Sequence, residues 1–414
     1  HDMKLFILLS TLCFIALAVS DDLWLNSYVL EGKLKKSALK ERGFDVYPKN
    51  DSTLLVIGCN NDEALFKSLG YNIIAKEIGE PFYKIQERRM QGLKNPPLGY
   101  DTPQDLFDKF TALAELAPDI AQLEDLTDIY NTEFTVEGQS IYALKISENV
   151  TADEDQPNIL LVANHHSREL ITPQLALDAA ERLVNGYLDG ETTLTELVEE
   201  NQIYIIWTMN PDGLDYTWTT NAFWRKNRRN NGGGAFGIDL NRNYPFGWDF
   251  PSGGSTNPFS NTFRGRNPAS EAETQTMIAF QRDRRFAKLI DWHSFSRDTR
   301  PNYGGGTPLP TCIKALFDEI GDTLAEFMSY VLASSTAMGG DIHTAYHDSG
   351  TLATLIETGT TFQPPADAMR EEVLRVWPGT LYYLTLPIPL SGHVTDRDTG
   401  EPVEAFLDVD EITW

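Results

Sequence analysis

Histidine is scarce in this chain, with seven in 414 residues, and three of them stand where a metal site is expected. His165 and His166 follow an apolar run that ends at Ala163, and Glu169 comes three residues after the second histidine. Far downstream, His293 closes another apolar run. If both runs are strands, two imidazoles and one carboxylate at strand ends form the three-ligand set of a catalytic zinc site, with a fourth position open for water. His165 lies four residues before Glu169, a spacing that suits a regular helix, so either histidine can be the first ligand.

Zinc chemistry on a carbonyl group also requires a base. Zinc acidifies a bound water and polarises the carbonyl, but another group must carry the proton to a leaving amine. Glu357 is a candidate, because it ends the apolar run 352–356. An unpaired carboxylate is costly there unless it has a partner or a chemical role. A surface glutamate at the end of a strand is the alternative that the local sequence leaves open.

Short apolar runs alternate with helical patterns along most of the chain. The runs that predict strands are 158–163, 202–209, 286–292 and 352–356, and the helical patterns are 170–185, 270–282 and 313–332. Thr102 followed by Pro103 predicts a helix to Leu116, and Gly138 predicts a hairpin that joins 126–135 to 140–147. This alternation predicts an α/β fold with a mixed, mostly parallel central sheet and helices on both faces. Sites in such folds gather beyond the carboxyl ends of strands.

Charge balance and cysteine content exclude several classes of protein. Lys and Arg total 34 against 60 Asp and Glu, a formal net charge of −26, which is the wrong sign for binding nucleic acid or an anionic membrane. Three cysteines provide no disulfide framework. Residues 1–20 are predicted to be a signal peptide, because Lys4 precedes an apolar run that ends in small residues. We therefore expect a secreted protein, extracellular or periplasmic, with no membrane attachment once the signal is removed.

Six short motifs follow one another in an order that points to one family. They are 166–169 (His-Ser-Arg-Glu), 223–228 (Phe-Trp-Arg-Lys-Asn-Arg), 239–244 (Asp-Leu-Asn-Arg-Asn-Tyr), 293–295 (His-Ser-Phe), 345–346 (Ala-Tyr) and 355–357 (Leu-Ile-Glu). Together they resemble the motifs of the zinc metallocarboxypeptidases of the carboxypeptidase A and B type. The resemblance covers residues 100–386 and is closest in character to the secreted bacterial members.

The resemblance implies a role for each matched residue. One zinc ion per catalytic domain is expected at His166, Glu169 and His293, which favours His166 over His165. Glu357 is the implied general base and acid, and Arg225 is the implied stabiliser of the oxyanion. The implied substrate-binding residues are Asn241 and Arg242 for the terminal carboxylate, Tyr346 as a mobile cover, and Arg168, Ser294 and Phe295 along the subsites. Asp239 is implied to orient a zinc-bound imidazole from behind.

These roles imply a zinc metallocarboxypeptidase that hydrolyses the C-terminal peptide bond of peptides and proteins by zinc-bound water, with a glutamate as base. Two alternatives stay open: a zinc-dependent cell-wall or N-acyl amino acid amidase on the same fold, and an inactive peptide-binding module. Asn241 and Arg242, the implied terminal-carboxylate residues, argue against a cell-wall endopeptidase as the amidase. Glu357 beside a complete ligand set argues against an inactive module. Glu357 follows Tyr346 by only eleven positions, fewer than in the digestive enzymes, so matching does not predict the preferred C-terminal side chain.

The segments on either side of the catalytic region are expected to be accessory. Residues 21–92 are predicted to form a small α+β propeptide that covers the cleft as the enzyme's own inhibitor, with cleavage near Arg88 and Arg89 in an exposed linker. Residues 390–414 resemble the opening of a transthyretin-like β-domain, truncated because they are too few for a whole β-sandwich. His343 and His347 are expected to be solvated loop residues.

Overall fold

A computed structural model describes residues 25–32, 36–91, 99–301, 311–388, 394–401 and 403. The predicted signal peptide and most of the predicted C-terminal β-segment lie outside these residues. Among the described residues, none of the helices combines the length and the apolarity that crossing a bilayer requires.

The first part of the chain forms a small antiparallel sheet with its own core. The four strands are β1 (Asn26–Glu31), β2 (Asp45–Pro48), β3 (Thr53–Gly58) and β4 (Asn72–Glu77), in the order β2-β3-β1-β4. Helices α1 (Lys36–Lys40) and α2 (Glu63–Ser68) connect them. Tyr28, Leu54 and Phe66 are fully buried at the centre. The small α+β unit that the sequence predicts ahead of the main domain is therefore present, and we call it the N-terminal unit.

The dibasic pair lies in a helix and not in a connector. Helix α3 (Phe82–Met90) buries Phe82 and Ile85, four residues or fewer apart, on one face, which favours the helical conformation. In its last turn, Arg88 is paired with Glu80, and Arg89 donates to the backbone carbonyl of Gln363 at 2.9 Å. The expected exposed linker is thus helical at these two residues, and cleavage near them stays a prediction.

The main domain is built on an eight-stranded sheet with the order β13-β12-β14-β11-β7-β8-β6-β5. Strands β14, β11, β7 and β8 at its centre are parallel, whereas β12, β6 and β5 pair with their neighbours toward the centre in the antiparallel sense. The bounds are β5 Ala121–Asp125, β6 Tyr142–Ile146, β7 Asn158–Ala163, β8 Gln202–Ile206, β11 Lys288–His293, β12 Asp298–Pro301, β13 Val331–Leu332 and β14 Leu352–Glu357. Strands β9 (Asn230–Gly232) and β10 (Ala235–Phe236) form a separate pair.

Helices cover both faces of this sheet. They are α4 (Pro103–Leu116), α5 (Leu126–Ile129), α6 (Ile171–Leu188), α7 (Thr192–Glu200), α8 (Pro211–Thr219), α9 (Ala272–Arg284), α10 (Thr311–Met328), α11 (Asp341–Ser349) and α12 (Ala366–Thr385). Side chains alternate along β7, so that Ile159 and Leu161 pack into one core with α4, α6 and α12, and Leu160 and Val162 into another with α9 and α11. The predicted fold class, a mixed and mostly parallel sheet with helices on both faces, is confirmed.

The predicted hairpin around Gly138 is wrong. Strands β5 and β6 do pair, but β5 ends at Asp125, whose side chain accepts a hydrogen bond from the backbone of Asp128 and begins helix α5. The turn at Gly138 closes a loop that is held by Asp212, because Asp212 accepts from the Thr135 hydroxyl at 2.6 Å. Helix α5, capped by Asp125, and the loop held by Asp212 therefore occupy the residues that were predicted to form the first long strand of the hairpin.

Candidate active site

Three adjacent parallel strands end at one place on the sheet. Strand β7 ends at Ala163, and Asn164 then adopts the left-handed backbone conformation, with φ of 61°, which asparagine tolerates better than most residues. The chain turns there into His165 and His166. His293 is the last residue of β11, and its partner across the ladder is Glu357, the last residue of β14. The carboxyl edge of the sheet thus brings the predicted base beside the predicted ligands.

Two imidazoles and one carboxylate converge at this edge. His166 Nδ1 lies 2.9 Å from Glu169 Oε1, and His293 Nδ1 lies 3.0 Å from Glu169 Oε2. The two Nδ1 atoms are 3.0 Å apart. All three side chains are buried, and their donor atoms form a group that can hold one metal ion.

The far sides of both rings show which nitrogens are free for a metal. His166 Nε2 faces Asp239 Oδ1 at 3.2 Å, and His293 Nε2 faces Asp291 Oδ2 at 2.7 Å. Each Nε2 must carry the proton that these carboxylates accept, which leaves both Nδ1 lone pairs directed at the same point. Lone pairs so close repel each other unless a cation or a proton lies between them. The residues therefore fit zinc, which takes imidazole nitrogen and carboxylate oxygen at about 2.0–2.2 Å.

His165 is less suited to be a ligand because both of its ring nitrogens are already engaged. Its Nδ1 lies 3.0 Å from Asp291 Oδ1, and its Nε2 lies 2.9 Å from the Tyr244 hydroxyl. The ring is completely buried and stacks on His293. This geometry favours His166 as the first ligand and makes His165 a support for Asp291.

The electrostatics of the group favour binding of a positive charge. Burial alone would raise the pKa of Glu169, but His166 and His293 outweigh it and hold that pKa well below the usual range. Burial also opposes ionisation of Asp291, yet His165 and His293 lower its pKa. In return, Asp291 and Glu169 raise the pKa of His293 well above its ordinary value, although burial alone would lower it. The donors thus attract a cation, whether a proton or a metal.

Arg225 is a fixed cation beside the donors. Its Nη2 and Nε donate to Asp239 Oδ2 at 2.9 and 3.2 Å, and its Nη1 lies 3.7 Å from Glu169 Oε1. Burial alone would lower the pKa of this guanidinium, but Asp239 raises it, so Arg225 stays charged. Burial likewise opposes ionisation of Asp239, whereas Arg225 and His166 hold its pKa far down. One carboxylate therefore orients both an imidazole and the arginine.

A cleft of about 440 Å³ joins these groups to the predicted substrate-binding residues. Asn241 Nδ2 lies 2.9 Å from His293 Nε2 and donates to Asp291 Oδ2 at 3.3 Å, and Arg242 Nη1 donates to the carbonyl of Asn241. Among the described residues, no carboxylate forms an ion pair with Arg242, and burial lowers its pKa. The side chains that line the cleft and belong to the predicted site are His166, Arg225, Asn241, Arg242, His293 and Glu357.

Glu357 is partly exposed at the cleft wall. Its Oε1 accepts a hydrogen bond from Arg300 Nη1 at 2.9 Å. Burial raises the pKa of Glu357, and Arg300 acts against that rise. Nothing in the local sequence pattern distinguishes Arg300 from other arginines, so it was not among the predicted site residues.

The remaining predicted residues lie around the cleft at different depths. The backbone N–H of Ser294 donates to Glu169 Oε2 at 3.0 Å, and the Phe295 ring packs on Phe362. Tyr346 is not part of the cleft lining, and its ring packs edge-on against Phe317. His343 and His347 lie in helix α11, so the expectation that they are loop residues is wrong. The helix continues past both histidines and ends at Gly350, which adopts the left-handed conformation. His343 lines the cleft, and His347 stacks on a phenylalanine outside it.

Arg168 is covered by the N-terminal unit. It is fully buried, and its Nη2 lies 2.6 Å from Asp45 Oδ2 and 3.0 Å from the Tyr47 hydroxyl. Asn261 of the main domain also donates to Asp45, at 3.2 Å. Burial opposes ionisation of Asp45, but Arg168 and then Arg225 lower its pKa. Lys40, Phe44 and Val46 of the same unit line the cleft.

Sequence reasoning missed two acidic residues at this site, Asp291 and Asp45. Asp291 stands two residues before His293 on β11, so strand alternation alone could have placed it on the same side as the ligand. Asp45 contacts Arg168 across 123 positions of the chain, and no local pattern predicts that contact.

The known proteins that this chain resembles are carboxypeptidases. A family model described as zinc carboxypeptidase matches residues 113–378. The metallocarboxypeptidase A of Trichophyton rubrum is 30% identical over 243 residues, which are 56% of this chain and 57% of that protein. Carboxypeptidase A1 of Rattus norvegicus is 28% identical over 291 residues, which are 69% of this chain and 67% of that protein. The chain thus spans little more than half the length of its fungal relative.

Solved structures agree on the fold. The crystal structure of carboxypeptidase A from Helicoverpa armigera superposes with a TM-score of 0.71 at 21% identity and covers 87% of this chain and 96% of that one. At this identity the likeness shows the fold alone. The expected closeness to bacterial members stays a prediction.

Proposed function

The chain belongs to the zinc carboxypeptidase family, and on that premise we propose that it removes the C-terminal residue of peptides and proteins. The observation that carries the proposal is Arg242. This guanidinium lines the same cleft as His166 and His293, and no carboxylate of the described residues pairs with it. A planar guanidinium matches a chain-terminal carboxylate better than an ammonium group does. The substrate of an endopeptidase is cut within the chain and places no terminal carboxylate beside the scissile bond for such a guanidinium to bind.

The residues of the cleft divide the work of hydrolysis among them. Arg242 and Asn241 hold the substrate's terminal carboxylate, which sets the distance of the scissile bond from the rest of the site. Arg225, locked by Asp239, faces the charge that develops on the carbonyl oxygen. Glu357 takes a proton from the attacking water and delivers it to the leaving amine. A zinc ion held by His166, Glu169 and His293 would supply Lewis acidity toward both the carbonyl and the water.

Four further residues are proposed to line the subsites, cover the bound terminus or support the site. Arg168 lies beneath Asp45 and becomes accessible only when the N-terminal unit leaves, and the partly exposed Phe295 ring packs on Tyr47 of that unit. Tyr346 packs against Phe317 one helical turn from the cleft-lining His343. It would have to turn out of that contact to cover a bound substrate. Ser294 contributes its backbone N–H, which holds Glu169 in position.

We also propose that the protein is secreted as a proenzyme and that its N-terminal unit is the inhibitor. The support is the placement of Asp45 on Arg168 and of Lys40 and Phe44 in the cleft lining. A substrate cannot reach Arg168 while that buried ion pair persists. Removal of residues 21–92, by cleavage near Arg88 and Arg89, would open the cleft.

The test compares an N-acylated dipeptide that has a free C-terminus with the same dipeptide as its C-terminal amide, using the full chain before and after limited trypsin digestion. We expect release of the last residue from the free acid only, and loss of that activity when zinc is chelated. The Arg242→Gln variant should raise KM for the free acid by about 10²-fold, since a charge-assisted pair is lost. Arg228→Gln is the matched control, because Arg228 pairs with Glu137 outside the cleft lining.

Two results would contradict the proposal. Equal cleavage of the amide and the free acid would indicate an amidase that does not read the chain end. Zinc binding without turnover of any peptide, in the digested chain, would indicate an inactive peptide-binding module.

A further inference from the structure

A third guanidinium lines the cleft in addition to Arg225 and Arg242. Arg300 lies on β12, which runs antiparallel to β14, and its neighbour across the ladder is Leu355. Its side chain reaches the end of β14, where Nη1 donates to Glu357 Oε1 at 2.9 Å. Arg300 therefore stands beside the proposed base and lines the same cleft as Arg242.

The orientation of this guanidinium is fixed from behind. Its Nε donates to Asp298 Oδ1 at 2.7 Å and its Nη2 to Asp298 Oδ2 at 3.1 Å, a two-point grip that holds the plane of the group. Nη2 also donates to the Ser296 hydroxyl at 3.1 Å. Neither Asp298 nor Ser296 belongs to the cleft lining. Asp298 thus occupies the edge of the guanidinium formed by Nε and Nη2, and Nη1 is the corner next to the cleft-lining Glu357.

Nη1 still has a donor to offer. It carries two N–H bonds, and Glu357 accepts one of them. Among the described residues no acceptor meets the second. A substrate group that fills the cleft next to Glu357 therefore meets an oriented, charged hydrogen-bond donor.

The rest of the main-domain wall carries little negative charge that could attract a basic side chain. Glu357 is the only acid among the described main-domain residues of the cleft lining, since Asp45 belongs to the N-terminal unit. The other residues on this side are apolar or neutral: Pro301, Ser335, Ala337, Ile342 and Leu355. His343 is also uncharged at neutral pH, because burial lowers its pKa to about 4.

We propose that the cleft selects peptides whose C-terminal side chain is an acid, with Arg300 as the group that recognises it. This inference rests on the proposed carboxypeptidase function. Arg242 holds the terminal carboxylate, Ile342 and Leu355 flank the methylene groups, and Nη1 of Arg300 binds the side-chain carboxylate. An apolar side chain would desolvate Nη1 without replacing its water, and a lysine would meet a like charge.

The experiment uses the full chain after limited trypsin digestion and four N-acylated dipeptides that differ only in the last residue: glutamate, glutamine, leucine and lysine. We expect kcat/KM to be higher for glutamate than for its neutral isostere glutamine by roughly 30-fold, which is the size of discrimination that a charge-assisted hydrogen bond supplies. In Arg300→Met the glutamate-to-glutamine ratio should fall to about 1, and Arg300→Lys should restore part of it. Arg297→Met is the matched control, because Arg297 pairs with Glu372 and does not line the cleft.

The outcomes separate this inference from the proposed function. If no dipeptide is cleaved, the proposed function fails. If glutamine, leucine or lysine is released as fast as glutamate, the function stands and the inference is overturned. If Arg300→Met slows all four substrates by the same factor, Arg300 acts only on Glu357, and the inference is again overturned. The ratio is measured within each variant, so a partly folded preparation does not distort it.

Discussion

The ion pair between Asp45 and Arg168 should set how firmly the N-terminal unit covers the cleft. We consider the Asp45→Ala variant of the uncut chain. The paired atoms are 2.6 Å apart, and the two side chains are 7% and 0% exposed. Loss of one partner from such a buried pair costs about 3–5 kcal/mol, because the other charge remains buried without a partner. The Tyr47 hydroxyl also accepts from Arg168, at 3.0 Å, so we expect the lower end of this range.

A cost of about 3 kcal/mol shifts the equilibrium between covered and open cleft by about 10²-fold, since 1.4 kcal/mol corresponds to a factor of ten. The assay measures hydrolysis of a free-acid dipeptide by the uncut and the digested forms of each variant. We expect the ratio of digested to uncut activity to fall by about 10²-fold in Asp45→Ala. The digested forms should be equally active, because digestion removes residue 45.

Asp51→Ala is the control, because Asp51 is exposed in the same unit and should leave the ratio unchanged. An unchanged ratio in Asp45→Ala, with an intact N-terminal unit by circular dichroism, would refute the reasoning. So would an uncut parent chain that is already as active as the digested one.

Two further predictions concern buried acids. Asp291→Asn should weaken zinc binding by about 10–100-fold in a chelator competition, because Asp291 accepts from His293 Nε2 at 2.7 Å and the amide is a weaker acceptor; equal affinities would contradict this. Burial and Glu271 raise the pKa of Glu273 to about 8. The folded state therefore holds a proton that the unfolded state releases near pH 4.5. As a result, the free energy of unfolding falls as the pH rises from about 4.5 to about 8. Glu273→Gln should therefore raise the free energy of unfolding at pH 8 by up to about 4 kcal/mol and change it little at pH 4; an equal change at both would contradict the reasoning.

The elements that carry the site were predictable where the sequence marks their ends. Strand β7 has the predicted bounds 158–163, because Asn164 breaks the apolar run, and α4 begins at Pro103 with the Thr102 hydroxyl accepting from Asp105. The predicted pairing of His166 with Glu169 is made by a single turn, in which the Glu169 N–H donates to the His166 carbonyl at 3.0 Å. Features that depend on chain-distant contacts were not predictable, such as the loop held by Asp212.

The convergence of the site is a property of the sheet order. Nothing in the sequence says that β11 lies between β7 and β14, and it is this order that brings His293 beside both His166 and Glu357. Motif matching supplied the candidates because a known family places them together. It could not supply Arg300, because β12 enters the sheet antiparallel beside β14, and that pairing has no signature in the run 298–301.

Two buried carboxylates tie metal binding to substrate binding in this fold. Asp239 holds His166 on one side and Arg225 on the other, and Asp291 holds His293 and His165. Asn241, which precedes the proposed terminal-carboxylate arginine, lies 3.3 Å from Asp291 Oδ2 through its Nδ2. Each of the two imidazole donors therefore shares a support with a residue proposed to act on the substrate, so a displaced carboxylate should disturb both. Asp298, which orients Arg300 through two hydrogen bonds, contacts neither imidazole. Substitutions at Arg300 or Asp298 should therefore change the preference for the substrate's C-terminal side chain without loss of the metal.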